Sequence, residues 1–77
     1  MILYSKMSNL KRLREEKNYS QGQLAYISKV KLRNIKAYEQ RYRDINKASA
    51  GTLRKLAKAL GCAVEDLLED DAASKIK

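Results

Sequence analysis

Apolar residues in this chain recur three and four positions apart and do not alternate over the length of a strand. Leu53, Leu56, Ala57 and Leu60 stand at i, i+3, i+4 and i+7, a spacing that lines one face of an α-helix. There is no proline and no low-complexity linker. Such a chain buries apolar surface by packing helix on helix, so the expected fold class is all-α. At 77 residues the expectation is one small domain, with no room for a separate catalytic, ligand-sensing or dimerisation domain. The apolar fraction of 44% is too high for a fully disordered chain.

The pattern predicts five helices. Ser8 caps the first, over about residues 9–17, with Leu10 and Leu13 facing inward and Asn18 ending it. Ser20 with Gln23 forms a capping box, and Tyr19 with Leu24 forms a hydrophobic staple, marking a second helix over about 20–28. After a break at Lys29 and Val30, a third runs over about 31–41 with Ile35 and Tyr38 on its inner stripe. A basic loop, 41–45, follows. Asn46 is read as the cap of a fourth helix over about 47–60, and Gly61 as its left-handed terminator. A short fifth, over about 64–69, offers Val64, Leu67 and Leu68. The expected layout is an extension at 1–7, the domain at 8–69 and a frayed tail at 70–77.

Charge is unevenly spread. The chain carries 17 Lys and Arg against 9 Asp and Glu, a net of +8. Residues 1–43 hold 11 basic and 3 acidic residues, and residues 44–77 hold 6 of each, so the first part carries the whole excess. A concentrated basic field attracts polyanions and gains from counterion release. The same charge would equally serve as a solvated face that maintains solubility. A membrane-surface helix would need one long basic amphipathic segment, and these segments are short and interrupted. Apolar runs of at most four residues exclude a transmembrane span. One cysteine and no histidine exclude an internal disulfide and an ordinary Cys/His zinc site. They point to a reducing cytoplasm, and no cofactor is expected.

Two short helices joined by a tight turn beside a basic field suggest a helix-turn-helix. Residues 20–39, Ser-Gln-x-x-Leu-Ala-x-x-x-x-Val-x-x-x-x-Ile-x-x-Tyr-Glu, resemble the Cro/repressor-type (XRE) helix-turn-helix family. That family's later pattern reappears at Leu53 to Leu68, and the resemblance covers about residues 8–69. It implies a compact five-helix repressor-like DNA-binding domain with the helix-turn-helix at helices 2 and 3. Ala25 is then the small residue at the crossing of those helices. Arg14 occupies the place of an arginine that pairs with the glutamate ending the third helix, here Glu39. These residues are scaffold: they position the reading surface and read nothing themselves.

The chain also departs from the family pattern. The turn usually holds glycine, where φ is positive, and here it holds Lys29. A left-handed lysine costs about 1–2 kcal/mol, so the turn is either strained or of different geometry, and the strained left-handed form is the one expected. Ala63 replaces the usual Ser or Thr and cannot cap with its side chain. Cys62 replaces valine and reads as a small core residue. The loop over residues 44–48 is two or three residues longer than common. Met7 matches the usual family start. Tyr26 and Ile27 fall on the outer side of the second helix, a surface for the N-terminal extension or for a partner.

With Ile35 and Tyr38 inward, helical geometry puts Arg33, Lys36, Ala37 and Gln40 on the outer arc, and Leu32 projects from the first turn. The resemblance implies base contacts at Leu32, Arg33 and Ala37. Arg33 suits guanine O6 and N7, and Leu32 and Ala37 suit thymine methyl groups. Lys36 is grouped with these base contacts, while it, Asn34 and Gln40 could also reach phosphate. Gln21, at the start of the second helix, together with Lys31, Arg41 and Arg43, is assigned to backbone phosphate.

The resulting expectation is a sequence-specific regulator of transcription that occupies an operator as a homodimer on double-stranded DNA. The rival is an antitoxin or other protein-interaction module that also binds DNA. No nucleophile motif or carboxylate pair in an apolar setting supports an enzyme. RNA binding fits the charge but lacks an exposed aromatic platform.

Overall fold

The computed structural model describes residues 7–69. The expected extension at residues 1–6 and the tail at 70–77 lie outside the described residues. Four α-helices form, and no strand is present among the described residues: α1 Asn9–Glu16, α2 Gln21–Ser28, α3 Leu32–Glu39 and α4 Ala50–Leu60. Two 3-10 turns, Ile45–Lys47 and Val64–Asp66, flank α4.

Three of the four helices start at a serine whose side chain satisfies a free N–H group. Ser8 Oγ accepts from Lys11 N. Ser20 Oγ accepts from Gln23 N while Gln23 Oε1 accepts from Ser20 N, completing the capping box. α3 alone begins without a side-chain cap, at Lys31.

The expected start of α4 is corrected. Ser49, not Asn46, caps it, accepting from Thr52 N at 3.1 Å. Asn46 is engaged by the far end of the domain. Its Nδ2 donates to the Glu69 carbonyl at 3.0 Å, and its Oδ1 accepts from Glu69 N at 2.8 Å. The expected fifth helix is likewise replaced by the single 3-10 turn Val64–Asp66. Asp66 Oδ2 accepts from Ala63 N at 3.1 Å, the one half of a capping box that does not need a side-chain acceptor at the alanine. So few residues gain too little from helix propagation to offset nucleation. The segment is held instead by Leu67, which is fully buried, and by Val64 and Leu68 packed against the core.

Three helices end on a non-glycine residue with positive φ: Asn18 (62°), Lys29 (66°) and Arg41 (64°). Gly61 ends α4 at 67°, as expected. At α1 and α3 the reversal is a Schellman turn. Tyr19 N donates to the Arg14 carbonyl at 3.2 Å, and Tyr42 N to the Ala37 carbonyl at 2.8 Å. At α2 a single bond from Lys29 N to the Ala25 carbonyl at 2.9 Å closes the helix. The buried Ser28 Oγ then accepts from Val30 N at 3.1 Å. The left-handed conformation expected of Lys29 is present.

The core gathers Leu10, Leu24, Val30, Ile35, Tyr38, Ile45, Leu53, Leu56, Ala57, Leu60 and Leu67. The α4 stripe and the inner face of α3 match the helical spacing. Ile45 is a core residue that the sequence placed in a basic loop. Ala25 packs at the edge of the core, with α2 against both α3 and α4.

Candidate nucleic-acid interface

The orientation of α3 is fixed from beneath by one buried ion pair. Arg14 Nε donates to Glu39 Oε2 at 2.7 Å and Arg14 Nη2 to Glu39 Oε1 at 2.9 Å, a bidentate arrangement. The side chains are 9% and 3% exposed, so water screens the pair little. Arg14 Nη1 also donates to the Tyr19 carbonyl at 2.8 Å, tying in the segment before α2. Hydrogen bonding to Glu39 raises the Arg14 pKa further, despite the opposing effect of burial. The guanidinium is therefore charged at every working pH.

Gln21 joins this cluster, its Nε2 donating to Glu39 Oε1 at 2.9 Å. Its expected role was at backbone phosphate. In this structure the side-chain amide ties the start of α2 to the end of α3.

The opposite side of α3 carries the candidate reading residues. Arg33 and Lys36 are exposed, and Leu32 is 39% exposed, although nothing requires an exposed leucine in this first turn. Gln40 is exposed at the C-terminal end, Asn34 is half-buried, and Lys31 is exposed before the helix. Ala37 is half-buried because its carbonyl receives the returning chain from Tyr42 and Arg43.

The two arginines after α3 diverge. Arg41 Nη1 lies 3.6 Å from Glu69 Oε1, turned toward the end of the domain. Glu69 Oε2 also accepts from Asn9 N at 2.7 Å, so this carboxylate links the start of α1 to the end of α3. Arg43 stays beside α3, 5.6 Å above the Tyr38 ring and hydrogen-bonded to Asn34.

Tyr42, between them, is 80% exposed, and sequence reasoning overlooked it. The available signal was its place in Arg-Tyr-Arg, immediately after a helix whose inner stripe ends at Tyr38. On the outer face of α2, Tyr26 is 86% exposed and Ile27 is also exposed.

Among the described residues no group of His, Cys, Asp and Glu could hold a metal ion. No helix there is long and apolar enough to cross a membrane. Cys62 is a partly buried free thiol, and burial with nearby Asp66 raises its pKa.

No curated protein and no solved structure matches the chain at a significant level. The helix-turn-helix family model matches residues 10–67, which spans α1 through the turn after α4. The chain belongs to the Cro/repressor-type (XRE) helix-turn-helix family, a family of DNA-binding transcription regulators.

Proposed function

We propose that this chain is a sequence-specific repressor of transcription, occupying a pseudo-palindromic operator with α3 in the major groove. The observation that carries the reading is the pairing of an exposed face with a rigid support. Leu32, Arg33 and Lys36 face solvent on the helix that the buried Arg14–Glu39 pair locks in place. A reading helix needs that support, because base-edge hydrogen bonds demand close positional tolerance.

Arg33 is assigned a bidentate contact to guanine O6 and N7. Leu32 and Ala37 are assigned to thymine methyl groups, and Lys36 to a base edge. Asn34 and Gln40 border that surface. Lys31, Arg43 and the N-terminus of α2 at Gln21 contact phosphate and set the register. Arg41 contributes to the local field from its place beside Glu69.

At 1.5 Å per residue, the eight residues of α3 span about 12 Å, or roughly four base pairs at 3.4 Å each. That is too short a site for strong discrimination. A homodimer with half-sites about 34–36 Å apart supplies the rest. The setting is cytoplasmic, and no catalytic step is part of the mechanism. A second reading, an antitoxin or other protein-binding module that also binds DNA, is favoured by the exposed Tyr26 and Ile27 on α2.

Selection of bound duplexes from a random pool, with non-specific DNA as competitor, tests the proposal. A palindromic consensus is the expected result. Binding that tracks only length and salt, with no consensus, would overturn it.

A further inference from the structure

Glu69 joins segments that lie far apart in the sequence. Its backbone pairs with the amide of Asn46: Glu69 N donates to Asn46 Oδ1 at 2.8 Å, and Asn46 Nδ2 donates to the Glu69 carbonyl at 3.0 Å. Its carboxylate Oε2 accepts from Asn9 N, at the first residue of α1, at 2.7 Å. α1 has no acidic residue in its own first turn, so Glu69 supplies the anion that a helix N-terminus favours. Asn9 Nδ2 donates in turn to the Leu68 carbonyl at 2.8 Å. The second carboxylate oxygen, Oε1, lies 3.6 Å from Arg41 Nη1.

Arg41 and Asn46 bracket the segment that leaves α3. Arg41 makes the left-handed reversal, and Asn46 lies in the 3-10 turn Ile45–Lys47. Glu69 therefore grips both ends of a stretch whose middle, Tyr42, Arg43 and Asp44, is exposed. The side-chain tethers of Arg43 are weak: an exposed hydrogen bond to Asn34 at 3.2 Å and a ring 5.6 Å away. Where Arg43 sits is thus set by its backbone. On the α3 side that backbone is held by the Ala37 carbonyl, which accepts from Tyr42 N and Arg43 N. On the far side it is held by the buried Ile45 and by the part-buried clasp between Asn46 and Glu69. An irregular stretch stays ordered only where such anchors offset its conformational entropy.

We propose that Asn46 is a positioning residue for DNA binding: by clasping Glu69 it holds the segment after α3 so that Arg43 meets backbone phosphate. The inference rests on the phosphate role given to Arg43 above. It assigns the end of the domain a part in DNA binding without any contact to DNA.

The test compares the full-length wild type with Asn46→Ala, Arg43→Ala and the double variant. Asn46→Ala changes no charge, so an effect on DNA affinity cannot come from net charge. In the DNA-free protein, the amides of Tyr42, Lys47 and Ala48, bonded to Ala37, Asp44 and Ile45, should exchange several-fold faster in Asn46→Ala. Amides inside α4, such as those of Leu56 and Leu60, should change by a smaller factor. On DNA, Asn46→Ala should weaken binding several-fold on every sequence and lower the salt slope by about one unit, as Arg43→Ala does. Base preference should be kept, because α3 is seated separately by Arg14 and Glu39. In the Arg43→Ala background, Asn46→Ala should cost little further affinity. A role in stability alone would lower the urea midpoint and leave the salt slope of the folded protein intact. If Asn46→Ala does not fold, Asn46→Asp, which keeps the acceptor for Glu69 N, takes its place in the exchange measurement.

Unchanged exchange at Tyr42, Lys47 and Ala48 would overturn the clasp without reference to DNA. Faster exchange with wild-type affinity and salt slope would overturn this inference and leave the proposed function standing. Binding by wild type without any consensus would overturn the proposed function alone. Failure of wild type to bind any duplex would overturn both.

Discussion

Removing one partner of the Arg14–Glu39 pair should be the most damaging polar substitution in the domain. In Arg14→Met, Glu39 Oε2 loses the 2.7 Å bond from Nε, and Oε1 keeps only its bond from Gln21. The carboxylate, 3% exposed, is left buried without its counter-charge. Breaking a buried pair this way costs about 3–5 kcal/mol. For 77 residues, a stability of about 0.05–0.15 kcal/mol per residue gives a total of roughly 4–12 kcal/mol. The single variant should therefore lose a large share of its stability.

The double variant Arg14→Met with Glu39→Leu removes both charges and keeps most of the volume. Paired replacement of this kind is often near neutral. Here the Tyr19 carbonyl still loses its 2.8 Å donor, which adds about 1 kcal/mol. The double variant should thus be more stable than either single one, by about 2–4 kcal/mol on these figures. Urea unfolding followed by far-UV circular dichroism measures all three. The reasoning fails if Arg14→Met costs under about 1 kcal/mol, the range of an exposed pair. It fails equally if the double variant shows the sum of the two single losses.

Three further outcomes are expected. Arg33→Ala should cost about 1–3 kcal/mol on the preferred duplex and relax preference at one base pair; equal loss on cognate and scrambled duplexes in titration would remove its reading role. Lys29→Gly relieves the strain of φ 66° but loosens the unfolded chain, so a net gain of a few tenths to about 1 kcal/mol is expected in urea unfolding, and a clear loss would contradict the strain argument. Cys62, with its pKa raised by burial and then by Asp66, is held as neutral thiol in the folded state. Its contribution to stability is complete below the pKa of the unfolded thiol and disappears as pH rises through the folded value. Alkylation of native protein near pH 8 should accordingly be slower than alkylation in urea, and equal rates would rule out the shift.

The reading surface depends on residues separated into two kinds by their surroundings. Arg14, Gln21 and Glu39 spend their hydrogen-bonding capacity inside the domain. Arg33 and Lys36 remain exposed on α3. Arg41 and Arg43 are only two positions apart, yet one faces Glu69 and the other faces Asn34. Charge counting cannot separate them, because the difference arises from the left-handed reversal at Arg41.

Features set by neighbours within about four residues were legible in the sequence alone. The Ser8 and Ser20 caps, the Ser20–Gln23 box, the α4 stripe and the Gly61 terminus each depend on one turn of chain, so spacing specifies them. The motif of residues 20–39 extended this to the Arg14–Glu39 pair and the left-handed Lys29, both present as expected. Tertiary structure decided what distant groups contest. Asn46 has the chemistry of a helix cap, but Glu69, 23 positions away, takes both ends of its amide, and Ser49 caps α4 instead. The segment after Gly61 has helical spacing, but burial of Leu67 holds it in a single 3-10 turn. Ile45 enters the core from a stretch that reads as a basic loop. The Arg43–Asn34 pair exists because Arg41 reverses the chain over Tyr38. Caps and stripes are local minima of a short peptide, whereas these contacts form only once the packed helices bring remote polar and apolar groups within reach.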